Sequence, residues 1–300
     1  SATVDTNILL FENTSNKQNT ICVVTKSKDK DNIKELSDFV KQNHSVNSFS
    51  SSDSWVILSP IEQSIKRKIE TVGTPLKDWD INIYRGVLTG YNEAFIIPTE
   101  KRDEILNNCR SDDERQRTAE LIRPILRGRD IKRYGYDWAG LWLIATFPAK
   151  HYDIERYPAV KKYLLSIGIE RLEQTGKTHK VGNLEIKSRK KTNNKWFETQ
   201  DSISYWEDFF KPKIVYQELT QGSAFALDLE NNYFISNTGY LITGSNLNYL
   251  IKLLNSRIIE FTYRRFYATL LGDNGLRWLS QHIMNLPIPV YRETDIQRQI

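Results

Sequence analysis

Glu185 and Lys187 are the first residues whose types and spacing suggest chemistry, because they form the sequence Glu-Ile-Lys. This is half of the pattern found in metal-dependent nucleases, where two carboxylates and a lysine hold Mg²⁺ and orient a water molecule. The half-pattern is short, and a basic hairpin or loop exposed to solvent produces it equally well. The sequence leaves both interpretations open.

Other catalytic and cofactor patterns are missing from the sequence. No Gly-x-Gly pair is present, which excludes the usual dinucleotide loop and the usual cofactor loop of a methyltransferase. Gly176-Lys177-Thr178 matches the end of a phosphate loop, but Arg171 stands where that loop needs its first glycine. The four histidines form no His-x3-His zinc pair.

The two cysteines are too few for a disulfide framework or a four-cysteine zinc site. We therefore expect a reducing, cytoplasmic location. No signal peptide opens the sequence, and no apolar run approaches the ~18 residues that a membrane helix needs. No membrane partner is expected.

Basic residues are concentrated in two segments. The chain has 42 Lys and Arg against 37 Asp and Glu, a net charge of +5. Residues 177–195 hold seven basic residues against one acidic residue, and residues 121–136 hold five against one. Together the two segments carry +10, so the remainder of the chain carries −5. This concentration favours a surface that binds a polyanion, although solvated loops or structural ion pairs remain alternatives.

Aromatic residues accompany both basic segments. Tyr134, Tyr136 and Trp138 lie in or near residues 121–136, here called the first basic segment. Trp196 and Phe197 lie beside residues 177–195, here called the second basic segment. Lysine and arginine neutralise phosphates, and arginine also reads base edges together with asparagine and glutamine. The combination favours a nucleic acid as the partner.

The elements that must position these residues change character near Pro75. Before it, residues 3–11 and 20–25 predict a β-hairpin, residues 31–42 predict a helix, and residues 61–72 predict a second helix. Residues 45–54 are rich in serine and asparagine and predict a linker.

From residue 75 onward, short strands alternate with helices. The predicted strands cover residues 81–87, 94–97, 141–147, 214–219, 224–229, 233–236 and 240–242. Helices are predicted at 112–122, after a capping pattern of Ser111 and Glu114, and at 158–174. A longer helix is predicted at 246–266, with a buried stripe that includes Leu254, Ile258 and Phe261.

Four blocks of sequence, taken in order, resemble one known family. The blocks are Arg85-Gly86 with Thr89-Gly90 and Asn92-x-Ala94-Phe95; Arg123-Pro-x-Leu-x-Gly-x-Asp-Ile131 with Tyr134; Trp206 with Lys211-Pro-Lys-Ile-Val-Tyr-Gln217; and Asn248–Ser256 with Leu286-Pro-Ile-Pro-Val290. They resemble the TaqI-like C-terminal specificity domain of type IIG restriction-modification enzymes and related adenine-N6 DNA methyltransferases. The resemblance spans about residues 75–290.

The resemblance implies a DNA target-recognition domain whose fold is α+β, with short strands and packed helices. Residues 4–10 resemble the terminal strands of the family's methyltransferase domain. Only one methionine, Met284, is present, and the chain is therefore expected to be a fragment. The expected parts are a methyltransferase remnant (1–45) consisting of a β-hairpin and a helix, a linker and helix (46–74), and the recognition domain (75–300).

The resemblance also implies partners and cofactors. Double-stranded DNA is the expected ligand, and an N-terminal methyltransferase domain of the same polypeptide is the expected partner. We expect no cofactor in the fragment, whereas the parent enzyme would use S-adenosylmethionine and, if it cleaves DNA, Mg²⁺. The extrusion of a base for methylation would belong to that parent enzyme.

The residues predicted to contact DNA are polar or basic and come from the matching blocks and the basic segments. They are Arg85, Thr89, Asn92, Arg123, Arg127, Arg129, Lys132, Lys187, Arg189, Lys190, Lys191, Arg264 and Arg265. No catalytic or metal-binding residue is predicted. Two alternative functions stay open, namely a metal-dependent nuclease module around Glu185 and Lys187 and a protein-interaction module of a phage-defence complex.

Overall fold

The chain divides into two units, Ser1–Val72 and Gly73–Ile300. The computed structural model describes residues 8–25, 35–49, 55–230, 233–268, 270–271 and 275–290. The finer division into three parts remains a prediction.

The described residues of the first unit include a pair of short strands. Thr20–Cys22 pairs antiparallel with Ser45–Asn47, whereas the sequence predicts residues 3–11 as the partner. Residues 8–11 form no strand, and residues 3–7 lie outside the described part of the chain. The buried Asn47 side chain accepts a hydrogen bond from the Leu58 backbone N–H at 3.0 Å, which fixes this strand.

Two helices complete the described part of the first unit, Leu36–Asn43 and Pro60–Val72. The second begins after a reciprocal cap, because the Ser59 hydroxyl accepts from the Glu62 N–H while the Glu62 carboxylate accepts from the Ser59 N–H at 2.8 Å. Proline suits the first helical position. The helix predicted at 61–72 is confirmed; residues 31–34 of the other predicted helix lie outside the description.

A four-stranded antiparallel sheet, here called the central sheet, lies inside the second unit. Its strands, in spatial order, are Phe225–Asp228, Lys213–Gln217, Gly239–Gly244 and Ile81–Arg85. Successive side chains of a strand point to opposite faces. Accordingly Ile214 and Tyr216 belong to one hydrophobic core and Val215 belongs to the other. Both faces are therefore covered, which explains why this stretch is almost continuously apolar.

One buried ion pair lies within the central sheet. Lys213 and Asp228 stand opposite each other on neighbouring strands, and Lys213 Nζ lies 2.7 Å from Asp228 Oδ2. Lys213 also donates to the Phe209 carbonyl at 2.7 Å, and Asp228 accepts from the Tyr233 N–H at 2.9 Å. Burial lowers the pKa of Lys213, and Asp228 opposes that shift. This lysine of the third sequence block is thus part of the protein interior.

The first core lies between the central sheet and a second sheet. The second sheet has the strand order Phe234–Ile235, Ile122–Leu126, Leu141–Ile144 and Ile96–Pro98. The helices around it are Asn92–Phe95, Thr99–Asn107, Asp112–Leu121, Pro158–Ile167 and Ile169–Leu172. The predicted helix at 158–174 is broken at Gly168, where φ is 103°. Each strand predicted after residue 75 overlaps an observed one, although residues 94–95 are helical.

Shorter strands connect the remaining loops. They pair Thr74–Pro75 with Pro287–Ile288, Ile131–Lys132 with Gly135–Tyr136, and Thr178–Val181 with Leu184–Lys187. A three-stranded sheet has the order Leu219–Thr220, Gly275–Arg277, Leu270–Leu271. The mixture of helices and short strands confirms the predicted α+β class.

The second core lies on the other face of the central sheet, beneath the helices Leu247–Leu254, Arg257–Thr262 and Ser280–Ile283. The sequence predicts one helix over 246–266, but the chain turns at Asn255 and continues through a π-helical turn, Tyr263–Tyr267. The break changes the buried face. Ile258 and Phe261 are 55% and 41% exposed, so their prediction as core residues is wrong, whereas Ile259 is buried.

Asn255 explains the break. Its side chain is buried and hydrogen-bonds both backbone groups of Phe225, accepting from the N–H at 3.2 Å and donating to the carbonyl at 2.9 Å. Ser256 then caps the next helix by accepting from the Ile259 N–H at 3.3 Å. The amide side chain thus supplies the partner that a neighbouring strand would supply.

A single buried arginine fixes the second basic segment. Arg189 donates through Nε to the Leu172 carbonyl at 2.8 Å and through Nη1 to the carbonyls of Thr89 and Glu198 at 2.8 and 2.7 Å. Its Nη2 donates to the Trp196 carbonyl at 2.7 Å. Burial lowers the pKa of Arg189 to about 10, so the guanidinium remains charged at neutral pH. Three separate stretches of backbone meet at this one side chain.

The bonds of Asn255 predict a measurable loss of stability in Asn255→Ala. The Phe225 N–H loses its partner inside the protein, and the Phe225 carbonyl keeps only its bond from the Tyr134 N–H at 2.8 Å. We therefore expect the free energy of unfolding to fall by about 2 kcal/mol. Urea denaturation measures it. The matched control is Asn248→Ala, since Asn248 is exposed on the preceding helix. Equal stability of the two variants would contradict the account of the helix break.

The bonds of Arg189 predict that Arg189→Ala lowers the free energy of unfolding by on the order of 3 kcal/mol, because four carbonyls lose a charged donor. Arg189→Lys keeps the charge but reaches fewer carbonyls, so it should also destabilise the protein. Lys190→Ala, at the exposed neighbouring position, is the control and should leave stability within about 0.5 kcal/mol. Full stability of Arg189→Lys would show that the charge alone matters.

Candidate nucleic-acid interface

An open groove of about 690 Å³ lies where the central strand Lys213–Gln217 continues into the short strand Leu219–Thr220. One wall is the strand that ends in Lys132, followed by Arg133, and the other wall is the chain around Gln217 and Gln221. The lining residues are Ile131, Lys132, Arg133, Gln217, Leu219, Thr220, Gln221, Gly222, Ser223 and Ala224. Cationic and amide side chains therefore face a common space.

The basic residues of the groove are held by backbone carbonyls. Lys132 Nζ donates to the Arg129 carbonyl at 2.7 Å, and Arg133 Nη2 donates to the Asn255 carbonyl at 2.7 Å. Arg264 Nη2 donates to the Gln221 carbonyl at 2.9 Å. Bonds to neutral carbonyls orient Lys132 and Arg133 without cancelling their charge, whereas Arg264 Nη2 also lies 3.9 Å from Glu260 Oε1.

The groove brings together some predicted residues and some that the sequence analysis missed. The sequence predicts Lys132, which lines the groove, and Arg264, which borders it, but it does not predict Arg133, Gln217 or Gln221. Arg133 lies in the first basic segment, which was the available signal. The sequence predicts a strand that includes Gln217, and only the position of Gln217 at the end of the observed strand places it in the groove.

Arg127 is committed to an ion pair inside the protein. Its Nη2 donates to Asp130 Oδ1 at 2.7 Å and its Nε donates to Asp130 Oδ2 at 3.0 Å, across the turn Gly128–Asp130. This hydrogen-bonded pairing raises the pKa of Arg127. The structure favours the ion-pair alternative, in which Arg127 stabilises a turn; its contact with DNA remains a prediction. The neighbouring Arg129 is exposed.

Gly128 is required by the same turn. A Cβ atom at this position would lie 2.5 Å from the Thr238 carbonyl oxygen, which is closer than non-bonded atoms approach. Its N–H donates to Thr238 Oγ1 at 2.9 Å. The glycine of the second sequence block thus serves packing between two chain segments.

Arg85 lies at the end of the central-sheet strand Ile81–Arg85 and remains 52% exposed. Its Nη2 lies 3.4 Å from Glu218, and its Nε donates to the Asn237 carbonyl at 3.2 Å. Asn92 is exposed at the start of a short helix. Both positions are compatible with the predicted contact with DNA.

Thr89 and Arg189 are buried, and their prediction as DNA contacts is wrong. Thr89 is completely inaccessible, and its hydroxyl donates to Asn92 Oδ1 at 2.7 Å. Arg189 uses its guanidinium on backbone carbonyls, one of which belongs to Thr89. The two residues therefore support the surface from below.

The lysines of the second basic segment, unlike Arg189, are exposed. Lys187 lies at the end of the hairpin strand Leu184–Lys187, and Lys190 and Lys191 follow it. Burial raises the pKa of the Asp201 carboxyl, and the charges of Arg85 and Lys190 oppose that shift. Arg85 and Lys190 therefore both act on this one carboxyl.

Arg123 and Arg265 occupy other surroundings. The Arg123 guanidinium lies over the Phe210 ring, 5.0 Å from its centre, and the side chain is half-buried in the second sheet. Arg265 is half-buried in the π-helical turn Tyr263–Tyr267. Their predicted contact with DNA remains a prediction.

Glu185 and Lys187 are exposed on one face of the hairpin, and Glu185 stands opposite Lys180. Within the described ranges, no three His, Cys, Asp or Glu side chains are grouped so that they could hold a metal ion. The same ranges contain no helix of the length and apolarity that crossing a membrane requires.

Solved structures and curated proteins were compared with the chain. None of the curated proteins matches. The type IIG restriction endonuclease BpuSI matches over 78% of this chain and 27% of its own, with 11% identity and a TM-score of 0.46. The type IIL restriction-modification enzyme MmeI, solved in complex with DNA, matches over 71% and 25%, with 13% identity and a TM-score of 0.43. This chain thus spans about a quarter of each.

A family model gives the assignment. The model of the TaqI-like C-terminal specificity domain matches residues 123–288, which are more than half of the chain. The matched residues include the groove and both basic segments, apart from the first two residues of one of them. The chain belongs to the family of TaqI-like C-terminal specificity domains of restriction-modification enzymes.

Proposed function

We propose that this chain binds double-stranded DNA and selects the target sequence of a restriction-modification enzyme. The observation that carries the proposal is the groove, in which Lys132 and Arg133 face Gln217 and Gln221. Cations supply contacts with phosphates, and glutamine amides pair with the edge of adenine in the major groove. Both kinds of contact are needed by a domain that grips DNA and distinguishes sequences.

The proposal includes the rest of the polypeptide. The catalytic partner would be an N-terminal adenine-N6 methyltransferase domain that uses S-adenosylmethionine and acts on a base extruded from the duplex. Mg²⁺ would be needed if that enzyme also cleaves DNA. These expectations, together with a cytoplasmic location, derive from the resemblance of the four sequence blocks.

Removal of exposed charge should weaken binding to every sequence. For Lys190→Gln with Lys191→Gln, we expect the slope of log K against log salt concentration to become shallower by about two, since each phosphate contact contributes about one. Fluorescence anisotropy with labelled duplexes at several salt concentrations measures it. The matched control is Lys162→Gln with Lys252→Gln, two lysines exposed on helices.

Wild-type affinity that is absent or indifferent to salt would contradict the proposed DNA binding. That result, combined with capture of a partner subunit, would favour the protein-interaction module. Mg²⁺-dependent cleavage of DNA by this chain that is lost in Glu185→Gln would favour the nuclease module.

Removal of a groove amide should instead change sequence preference. Gln221 is exposed in the groove wall, so Gln221→Ala should lose discrimination at one base pair, by roughly tenfold, while the salt slope stays unchanged. Selection of bound duplexes from a randomised pool, followed by sequencing, measures the preference. Gln116→Ala, at an exposed glutamine of the helix Asp112–Leu121, is the control. An identical preference in both variants would remove Gln221 from sequence reading.

A further inference from the structure

Two arginines from distant parts of the sequence meet at one carboxylate. Arg277 Nε and Nη2 lie 2.9 and 2.8 Å from Glu218 Oε1, and Arg85 Nη2 lies 3.4 Å from Glu218 Oε2. The Glu218 side chain is only 9% exposed, whereas the two arginine side chains are 52% and 45% exposed. One buried negative charge therefore holds two positive charges that reach the surface.

The backbone around Glu218 is fixed on both sides. Its N–H donates to the Thr238 carbonyl at 3.0 Å, and its carbonyl accepts from the Trp278 N–H at 2.8 Å. Trp278 is completely buried and directly follows Arg277. The carboxylate and both guanidinium groups are thus attached to parts of the fold whose positions are set by the core.

The ion pairs leave an excess of positive charge. A single arginine would be enough to neutralise Glu218, so the second one adds a net charge of +1 at the surface. A buried carboxylate also restricts the rotamers of both arginines, which lowers the entropy that they lose when they bind a ligand. The arrangement suits the recognition of an anion.

The geometry indicates which kind of anion. Among the contacts of the described residues, Arg85 and Arg277 each use Nε and Nη2 inside the protein, so the N–H groups of Nη1 and the second N–H of Nη2 remain on each. Both guanidinium groups lie against the same carboxylate and can therefore approach one anion together. A phosphate has separate oxygens that accept from two different groups.

We propose that Arg85 and Arg277 hold one backbone phosphate of DNA between them and that Glu218 is the positioning residue of this clamp. The inference rests on the proposed DNA binding and adds a contact that does not depend on the sequence of the DNA. Neither Arg277 nor Glu218 is among the residues that the amino-acid sequence predicts to contact DNA. If Glu218 acted only through its charge, its removal would strengthen DNA binding. If it positions the two arginines, its removal would weaken binding, and this difference provides the test.

The test is the affinity of Glu218→Gln for a labelled duplex across a range of salt concentrations. Glu218→Gln adds one positive charge to the surface, so attraction alone would give tighter binding and a steeper salt slope. The clamp predicts about tenfold weaker binding at one salt concentration and a slope shallower by about one, because the two arginines are no longer held together. Urea denaturation of the variant confirms that it is folded.

A second set of variants tests the shared phosphate directly. Arg85→Gln and Arg277→Gln should each weaken binding about tenfold, and the double variant should lose much less than the hundredfold expected of independent contacts. Arg110→Gln, at an exposed arginine between two helices, is the control and should bind like wild type.

The outcomes separate this inference from the proposed function. If the wild-type chain shows no salt-dependent affinity for DNA, the proposed function fails and the clamp fails with it. If wild type binds DNA with the expected slope but Glu218→Gln binds more tightly, or if the two arginine variants are fully additive, only the clamp is wrong. Should Glu218→Gln fail to fold, the arginine variants alone decide.

Discussion

The guanidinium of Arg189 is the interaction on which the surface of this protein depends. It lies in the interior, and its hydrogen bonds go to backbone carbonyls from three separate stretches of chain. A buried charge is costly unless its donors are hydrogen-bonded, so these stretches must stay in one arrangement. Thr89 supplies one of these carbonyls, so Arg189 also fixes the loop between Arg85 and Asn92. Arg189 itself follows closely after the hairpin strand Leu184–Lys187.

Gln174 supports the same stretch of chain. Its buried amide donates to the carbonyls of Lys195 and Glu198, and its oxygen accepts from the Thr192 hydroxyl. Residues 188–201 contain no helix or strand, yet their backbone is fixed through these polar side chains. A segment that looks like a solvated basic loop in sequence is therefore a packed part of the domain.

Local patterns predicted much of the fold, because they depend on neighbours in sequence. The strand Lys213–Gln217 and the capped helix Asp112–Leu121 follow from apolar runs and a Ser-x-x-Glu pattern. The prediction of one long helix over 246–266 fails at Asn255, because the Asn255 amide hydrogen-bonds Phe225, which lies 30 residues away in sequence. The spacing of apolar residues does not indicate such a distant partner, and it therefore predicts Ile258 on the wrong face of the helix.

The sequence predicts where basic residues of the candidate site are concentrated, but it does not predict how their side chains are arranged. Most basic side chains of the two segments are exposed, but arginines that look equivalent in sequence have different surroundings. Arg127 pairs with Asp130, Arg189 is buried, and Arg133 borders the groove. The surroundings of each arginine depend on carboxylates and carbonyls that folding brings close to it. Glu218, for example, contacts Arg85 although the two lie 133 residues apart in sequence.

The central sheet is covered on both faces, whereas the groove is built from short strands and turns beyond the end of one of its strands. The residues that hold the domain together are thus largely separate from those that would meet a ligand. Substitutions at Gln221 or Lys132 can accumulate without exposing either hydrophobic core. Over evolutionary time, a domain of this design can acquire new preferences one rim residue at a time, while natural selection on folding acts elsewhere in the chain.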